Sequence, residues 1–344
     1  MRRGRHGWGR VVVAGAIVAA VAATSMSLSS VALASGALTW RSVPGYAPAS
    51  GQGQVTSLSC AGVGFCLAVG VTGRAGVWDG SSWHAAPSIS RSVAHVGGVS
   101  CVTSSFCVAI GSSSTMARTV NYTITWTGTS WQAPVKLYTD VGQEGEYDLV
   151  HGVSCTSTHF CMALGNVGSF VWNGTEWSKR DGATGGTDGN GVLSCASSGF
   201  CANIHDNLPD YWNGSAWRWS SGNAESLGNA IPRDDGFMSE LSCASATFCV
   251  AVGTRTKPLI WDGYTWLYST VSGRAPALTS VSCTTPSFCV ATSSTTGLAL
   301  EWDGASWTPT SALGLGRLPT VVSCSATNRC LAVTDTGASA VTKS

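Results

Sequence analysis

The sequence is poor in charged residues, which make up only 11% of its 344 positions. Glutamate, lysine and leucine, which favour helices, are sparse, whereas glycine, serine, threonine, valine and tryptophan are abundant. This composition argues against long helices and favours many short strands joined by turns. An all-β chain of this length can form a single domain.

The usual motifs of catalysis and metal binding are also missing. The chain has no G-x-S-x-G, no H-E-x-x-H and no phosphate-binding loop. Its cysteines form neither the C-x2-C knuckles of a zinc ribbon nor a C-x-x-C redox motif. We therefore expect no catalytic residue, no metal site and no cofactor.

The N-terminal segment differs from the rest of the chain. Four arginines lie within the first ten residues, an apolar run covers residues 11–23, and Ala32-Leu33-Ala34 has the small-x-small form of a cleavage site. These features predict a secretory signal peptide over residues 1–34 and a mature chain from Ser35. An uncleaved membrane anchor is the alternative.

Removing the leader changes the charge balance. The whole chain has a net charge of +1, and loss of the four leader arginines leaves −3. A secreted, slightly acidic protein without a basic block is a poor nucleic-acid binder. We expect a monomer with no nucleic-acid partner and, after cleavage, no membrane contact.

Pairs of cysteines with five residues between them recur seven times, and these pairs contain all 14 cysteines. The first copy lies in SLSCAGVGFCLAVG, residues 57–70, and the first cysteines of successive pairs are 40 to 54 residues apart. The pairs are Cys60-Cys66, Cys101-Cys107, Cys155-Cys161, Cys195-Cys201, Cys243-Cys249, Cys283-Cys289 and Cys324-Cys330.

A second motif, W-x-G-x-x-W, alternates with the cysteine pairs and occurs six times. The Asp-Gly or Asn-Gly within most copies favours a tight turn between two strands. Each repeat therefore predicts four short strands: two joined by a five-residue cysteine hairpin loop and two joined by the tryptophan turn. Four strands in a repeat of about 40 residues are typical of a β-propeller blade.

The last repeat has no W-x-G-x-x-W before the chain stops at Ser344. The segment SGALTWRSVP, residues 35–44, aligns with the missing part and places Trp40 at the second tryptophan. We therefore predict an all-β, seven-bladed propeller over residues 35–344, with four-stranded antiparallel blades and the N-terminal strand closing the last blade.

The D-G-x-x-W part of WDGSSW, WDGYTW and WDGASW resembles the Asp-box of sialidase-like propellers, although the upstream serine of that pattern is absent. Nearly all of residues 35–344 also resembles secreted bacterial propeller repeats of the form S-C-x5-C-x-A-V-G followed by W-x-G-x-x-W. The resemblance implies the propeller fold and no particular activity. It provides no sialidase catalytic residues for this chain.

The repeated residues favour structural roles. Residues that flank a hairpin loop lie within disulfide reach, and secretion makes oxidation available, so we expect seven local disulfides, with pairing between blades as the alternative. Asp79, Asp262 and Asp303 share their motif position with Thr127 and two asparagines, which favours a turn role over a ring of catalytic acids. The regular tryptophans favour packing between blades.

Function is expected on the opposite, loop-rich face of the propeller, because variable loops on a rigid scaffold carry most binding sites. The two longest spacings place insertions over residues 132–152 and 220–240. The candidate ligand-binding residues on this face are Glu144, Glu146, Tyr147, Asp148, His151, His205, Asp206, Asp210, Trp219, Arg233, Asp234 and Asp235.

These residues admit several functions. The leading hypothesis is a secreted, non-enzymatic propeller that binds an extracellular glycan or protein. A glycoside hydrolase or lyase is the alternative, and it requires two of the loop carboxylates to lie about 5–10 Å apart. A third hypothesis is an assembly scaffold similar to the photosystem assembly propeller. A solvated loop surface without a site also fits the composition.

Overall fold

A computed structural model describes most of the repeat region. The described residues are 38–43, 54–115, 118–140, 149–180, 182, 191–205, 208–219, 238–254, 257–272, 276–293, 296–311, 313, 321–334 and 338–342. All of them belong to the unit formed by residues 36–344. The predicted signal peptide, residues 1–34, lies outside the described residues.

Every regular element among the described residues is a β-strand, as predicted. Within this part of the chain no helix is long and apolar enough to cross a membrane. The strands of the first three sheets are β2–β5 (Val55–Gly62, Phe65–Gly70, Ala75–Trp78, Trp83–Ala86), β6–β9 (His95–Thr103, Phe106–Thr115, Arg118–Trp126, Val135–Asp140) and β10–β13 (Val150–Ser157, Phe160–Gly165, Gly168–Trp172, Trp177–Arg180).

The next three sheets repeat this order. Their strands are β14–β17 (Val192–Ser197, Phe200–His205, Leu208–Trp212, Trp217–Trp219), β18–β21 (Met238–Ser245, Phe248–Gly253, Leu259–Trp261, Trp266–Tyr268) and β22–β25 (Ser280–Thr285, Phe288–Thr292, Ala299–Trp302, Trp307–Pro309). We number these six sheets first to sixth in chain order.

One further four-stranded sheet joins the two ends of the chain. It contains β26 (Val321–Ala326), β27 (Arg329–Val333) and β28 (Ala338–Thr342), and the N-terminal β1 (Thr39–Val43) pairs antiparallel with β28. We call it the composite sheet. The predicted pairing of the N-terminal strand with the last repeat is confirmed, and the chain is a β-propeller of four-stranded antiparallel sheets.

The two sequence motifs meet in one row that crosses each sheet. In the first sheet, Cys60 lies opposite Cys66, Cys66 opposite Trp78, and Trp78 opposite Trp83. In the composite sheet Val341 and Trp40 occupy the two tryptophan positions beside its cysteine pair. The alignment of Trp40 with the second tryptophan of the motif is therefore confirmed.

All seven cysteine pairs form the predicted local disulfides, with Cα–Cα distances of 3.9–4.0 Å. The predicted five-residue hairpin loop is wrong. Strand pairing continues past the cysteines to Gly62 and Phe65, with an irregularity between Cys60 and Gly62, so the turn is shorter. Closing so small a loop contributes roughly 2 kcal/mol per bridge in the loop-entropy estimate.

The hydrophobic core lies between adjacent sheets. The second strand of a sheet is the most deeply buried, and all six residues of β3 are buried. Phe65 and Leu67 of the first sheet pack in one cluster with Val99 and Ile124 of the second. Alternate residues of a strand point to opposite faces, so each second strand packs against both neighbouring sheets.

The tryptophans of each motif have different partners. The indole N–H of the first tryptophan bonds within its own sheet: Trp126 donates to the Ser104 carbonyl at 3.1 Å. The second reaches the preceding sheet: Trp217 donates to Ser169 Oγ at 2.8 Å, and Trp40 donates to Thr310 Oγ1 at 3.1 Å. Both tryptophans pack between sheets as predicted, since Trp126 also lies in one cluster with Phe65 and Leu67 of the preceding sheet. The second tryptophan adds a hydrogen bond across the junction.

A serine precedes the first cysteine in all seven repeats, and it links each sheet to the next. Its Oγ accepts the backbone N–H of the first cysteine in the following sheet. Six of these bonds measure 2.9 Å, and the seventh, from Cys60 N–H to Ser323 Oγ, measures 3.1 Å. The seventh bond connects the composite sheet with the first, so the series closes on itself. We call these bonds the serine ring.

We predict that Ser100→Ala destabilises the protein by about 1–2 kcal/mol, because it removes the partner of the Cys155 N–H without removing the donor. Ser272→Ala, at an exposed position, is the matched control. Urea unfolding followed by tryptophan fluorescence gives both values. Equal stability of the two variants would contradict a structural role for the serine ring.

Candidate functional site

A cavity of about 280 Å³ lies where the innermost strands begin. Residues from six of the sheets line it, together with Thr279 directly before β22 of the sixth sheet, so we interpret it as the mouth of the propeller's central channel. We call this site the channel mouth. Its lining residues are Thr56, Ser57, Leu58, Gly97, Gly98, Val99, His151, Gly152, Val153, Gly191, Val192, Leu193, Ser239, Glu240, Leu241, Thr279 and Val321.

The channel mouth is the place where the repeats differ most in chemistry. The residues lie two to four positions before the first cysteine of each repeat, just ahead of the uniform serine. Glycines occupy four of these positions, at 97, 98, 152 and 191. The other lining positions carry aliphatic side chains, hydroxyl groups, one histidine and one glutamate.

Glu240 is the acidic group of this lining. It lies on β18, and its Oε2 accepts the Val281 backbone N–H of the following sheet at 3.3 Å. Burial raises the pKa of Glu240 to about 7, and hydrogen bonds from the Ser280 side chain and the Val281 backbone oppose the shift. The carboxyl group is therefore partly protonated at neutral pH.

His151 lies on β10, two sheets before Glu240. Burial lowers the pKa of His151 to about 4, and a hydrogen bond to the Gly191 backbone offsets part of the effect. Its Nε2 has no hydrogen-bond partner among the described residues. The ring is thus neutral at pH 7.

Two serines repeat the contact that Glu240 makes. Ser57 Oγ accepts the Val99 N–H at 3.2 Å, and Ser280 Oγ accepts the Val322 N–H at 3.0 Å. Both lie three residues before a first cysteine, as Glu240 does. A serine is therefore sufficient for this contact between sheets, and the fold does not require the charge that the carboxyl group of Glu240 brings to the cavity.

Three of the predicted binding residues lie away from the channel mouth. His205 and Asp210 form a buried pair, with 3.2 Å between His205 Nε2 and Asp210 Oδ2, across the β15–β16 hairpin. Trp219 is the register partner of Asp210 on β17. The buried position of the pair indicates a structural contact within the fourth sheet.

Among the described residues, His151 is the one predicted binding residue that lines the channel mouth. The predicted binding residues that lie outside the described residues are Glu144, Glu146, Tyr147, Asp148, Asp206, Arg233, Asp234 and Asp235.

The motif acids form turns, as their repeat pattern predicts. Asp79 Oδ1 accepts the backbone N–H groups of Ser81 and Ser82, each at 2.8 Å, and Asp303 does the same for the two corresponding residues of its turn. These bonds, and the contact with His84, hold the pKa of Asp79 well below its usual range. The glycine of each motif has φ between 93° and 101°, which explains its recurrence.

Sequence reasoning missed Glu240 as a site residue. It ends the inserted stretch 220–240, and only strand register places it beside the innermost strands of the other sheets. An alignment of the repeats could have identified it. Glu240 and His151 lie three and four positions before a first cysteine, where the other repeats have Gly, Ser, Thr or Val.

A second cavity of about 460 Å³ lies between the third and fourth sheets. His159, Trp172 and Ser215 are among its lining residues, which places it beside the hairpins and tryptophan turns. These elements are similar in every repeat, so this cavity has fewer residues that set it apart from the corresponding surfaces of the other sheets than the channel mouth has. Within the described ranges, no group of three or more His, Cys, Asp and Glu side chains is placed to hold a metal ion.

We predict that Glu240 titrates with a midpoint near pH 7, well above the pKa of an exposed glutamate. Because the pKa of Glu240 is higher in the folded state than in the unfolded state, its contribution to the free energy of unfolding is largest below the unfolded-state pKa. That contribution declines as the pH rises toward 7. Carboxyl ¹³C NMR measures the midpoint, and Glu240→Gln supplies the assignment. The variant should also remove the corresponding loss of stability between about pH 4 and pH 7, and a midpoint near 4 would contradict the burial of this group.

No protein-family model matches the chain, and no curated protein matches it. Solved structures match in fold. A structure described as YCF48 bound to D1 peptide is 12% identical, with a TM-score of 0.59, and the match covers 91% of this chain and 96% of that one.

Two further structures give similar values. YCF48 from Cyanidioschyzon merolae is 14% identical, with a TM-score of 0.60 and coverage of 88% and 98%. U3-55K is 13% identical, with a TM-score of 0.61 and the same coverage. At these identities the similarity establishes the β-propeller fold of this chain and nothing about its ligand.

Proposed function

We propose that the protein is a non-enzymatic binding propeller that holds a segment of a protein ligand at the channel mouth. The observation that carries this proposal is the joint presence of His151 and Glu240 in a cavity whose other lining residues are small, apolar or hydroxyl-bearing. A site of this kind, concave with a few polar groups of shifted pKa, is the usual form of a binding site.

The scaffold suits binding better than catalysis. Glu240 is the one carboxylate that lines the channel mouth among the described residues, whereas glycoside hydrolysis requires two. One structurally similar propeller is described as bound to a peptide. The single carboxylate disfavours the hydrolase alternative, and the peptide-bound propeller supports a protein ligand over the glycan of the leading hypothesis.

We also infer that the composite sheet is a blade like the other six, so that the ring has seven blades. The cysteine-tryptophan row and the serine ring both extend through this sheet. Seven disulfides suit an oxidising compartment, which supports secretion. The relation to sialidase-like propellers remains a prediction from the turn motif.

Peptide-display selection on the purified protein, followed by affinity measurement, tests the proposal. We predict that Gly98→Leu weakens binding of selected peptides at least tenfold by filling the channel mouth. A Cβ at Gly98 meets its nearest atoms at 3.9 Å, which is ordinary van der Waals contact, so the Cβ itself is accommodated there.

Gly62→Leu is the matched control, because it adds the same side chain at a cysteine hairpin where a Cβ meets nothing within 4 Å. It should leave the affinity unchanged. Equal affinity for both variants would contradict binding at the channel mouth. A glycan-array signal without peptide binding, or turnover in a glycoside hydrolysis assay, would instead support the glycan or hydrolase alternatives.

A further inference from the structure

The channel mouth has a distinct balance of hydrogen-bonding groups. Thr56 Oγ1 donates its proton to the Val69 carbonyl at 3.3 Å, and Thr279 Oγ1 donates to the Thr292 carbonyl at 3.5 Å. Each hydroxyl oxygen consequently keeps its lone pairs as acceptors. Two of the hydroxyl groups that line the cavity therefore offer acceptors to a guest.

Glu240 adds the charge. A carboxylate has about four acceptor positions, and the bonds from Ser280 and Val281 occupy two of them. The remaining capacity is available to a donor in the cavity. An anionic guest would face repulsion from the ionised carboxylate, and a neutral guest would leave it without a counter-charge.

No second charge in the described lining competes with Glu240. The neighbouring sheets contribute Val192 and Leu193 of β14, Gly191 just before β14 and Thr279 just before β22, and none of these residues titrates. Of the lining residues on β2, β6, β10 and β26, His151 alone titrates, and it is neutral at pH 7. The ionised Glu240 thus determines the sign of the charge in the cavity.

We propose that the channel mouth accepts a cationic nitrogen group, the guanidinium or ammonium of a basic side chain in a protein ligand, with the Glu240 carboxylate as its counter-charge. The inference rests on the proposed function and adds the chemical class of the group that enters the cavity. A guanidinium supplies only donors, which complements a lining rich in acceptors.

Binding is linked to ionisation of Glu240. Only the carboxylate form attracts the cation, so the guest lowers the pKa of Glu240 and the affinity increases with pH. With a midpoint near 7, the ionised fraction rises about tenfold between pH 6 and pH 8. A neutral guest of the same shape has no such dependence.

The test compares n-butylguanidinium with its neutral isostere n-butylurea by NMR titration of the isotope-labelled full chain. At pH 8 we predict at least tenfold tighter binding of n-butylguanidinium, with shifts at Glu240 and Thr279. The preference should fall about tenfold at pH 6. Equal affinity for the two compounds at pH 8, or a preference unchanged between pH 8 and pH 6, would overturn the inference.

Glu240→Gln should remove the preference, and Glu176→Gln, an exposed change on a tryptophan turn, should retain it. Retention in Glu240→Gln would also overturn the inference. The wild-type pH ratio gives an independent result if the variant does not fold. Selected peptides that bind at the channel mouth but lack basic residues would refute the cationic guest alone, whereas failure of Gly98→Leu to weaken peptide binding would refute the proposed function.

Discussion

The serine ring is the interaction on which the rest of the structure depends. Each sheet packs against its neighbours mainly through non-directional hydrophobic contact, which does not by itself fix the angle or height of one sheet relative to the next. A hydrogen bond of 2.9–3.1 Å from each first-cysteine N–H to the serine Oγ of the preceding sheet fixes both. The disulfide links that cysteine to the second strand. The second strand pairs in turn with the strand of the first tryptophan, so the hydrogen bond at the innermost strand also positions the outer strands.

This arrangement separates structure from recognition within one short segment. The serine and cysteine positions are uniform, and they hold the innermost strands in register. The residues three and four positions before the cysteine begin the same strands, yet they vary among Gly, Thr, Val, Ser, His and Glu. Glu240 and Ser57 show how the two roles combine, because each accepts a backbone N–H of the following sheet while lining the cavity.

Repetition made much of the fold predictable from sequence. Seven cysteine pairs against six tryptophan motifs predicted that Trp40 completes the last repeat, and Trp40 lies opposite Val341 as that count requires. The site was less predictable, since loop composition drew attention to the insertions rather than to strand ends. His205 and Asp210 were chosen for their chemistry, but register places them together in the interior. The role of Glu240 depends on the cavity that it shares with residues far apart in sequence, such as Ser57 and His151.

The most direct test of this account is the hydrogen-exchange rate of the Cys60 amide, measured beside the six other first-cysteine amides by NMR. Cys60 donates across the junction between the first sheet and the composite sheet, where the ring joins its two ends. The account predicts slow exchange at Cys60, comparable with the amide of Cys155. Fast exchange at Cys60 with protection at the other six would show an open junction and contradict closure of the ring.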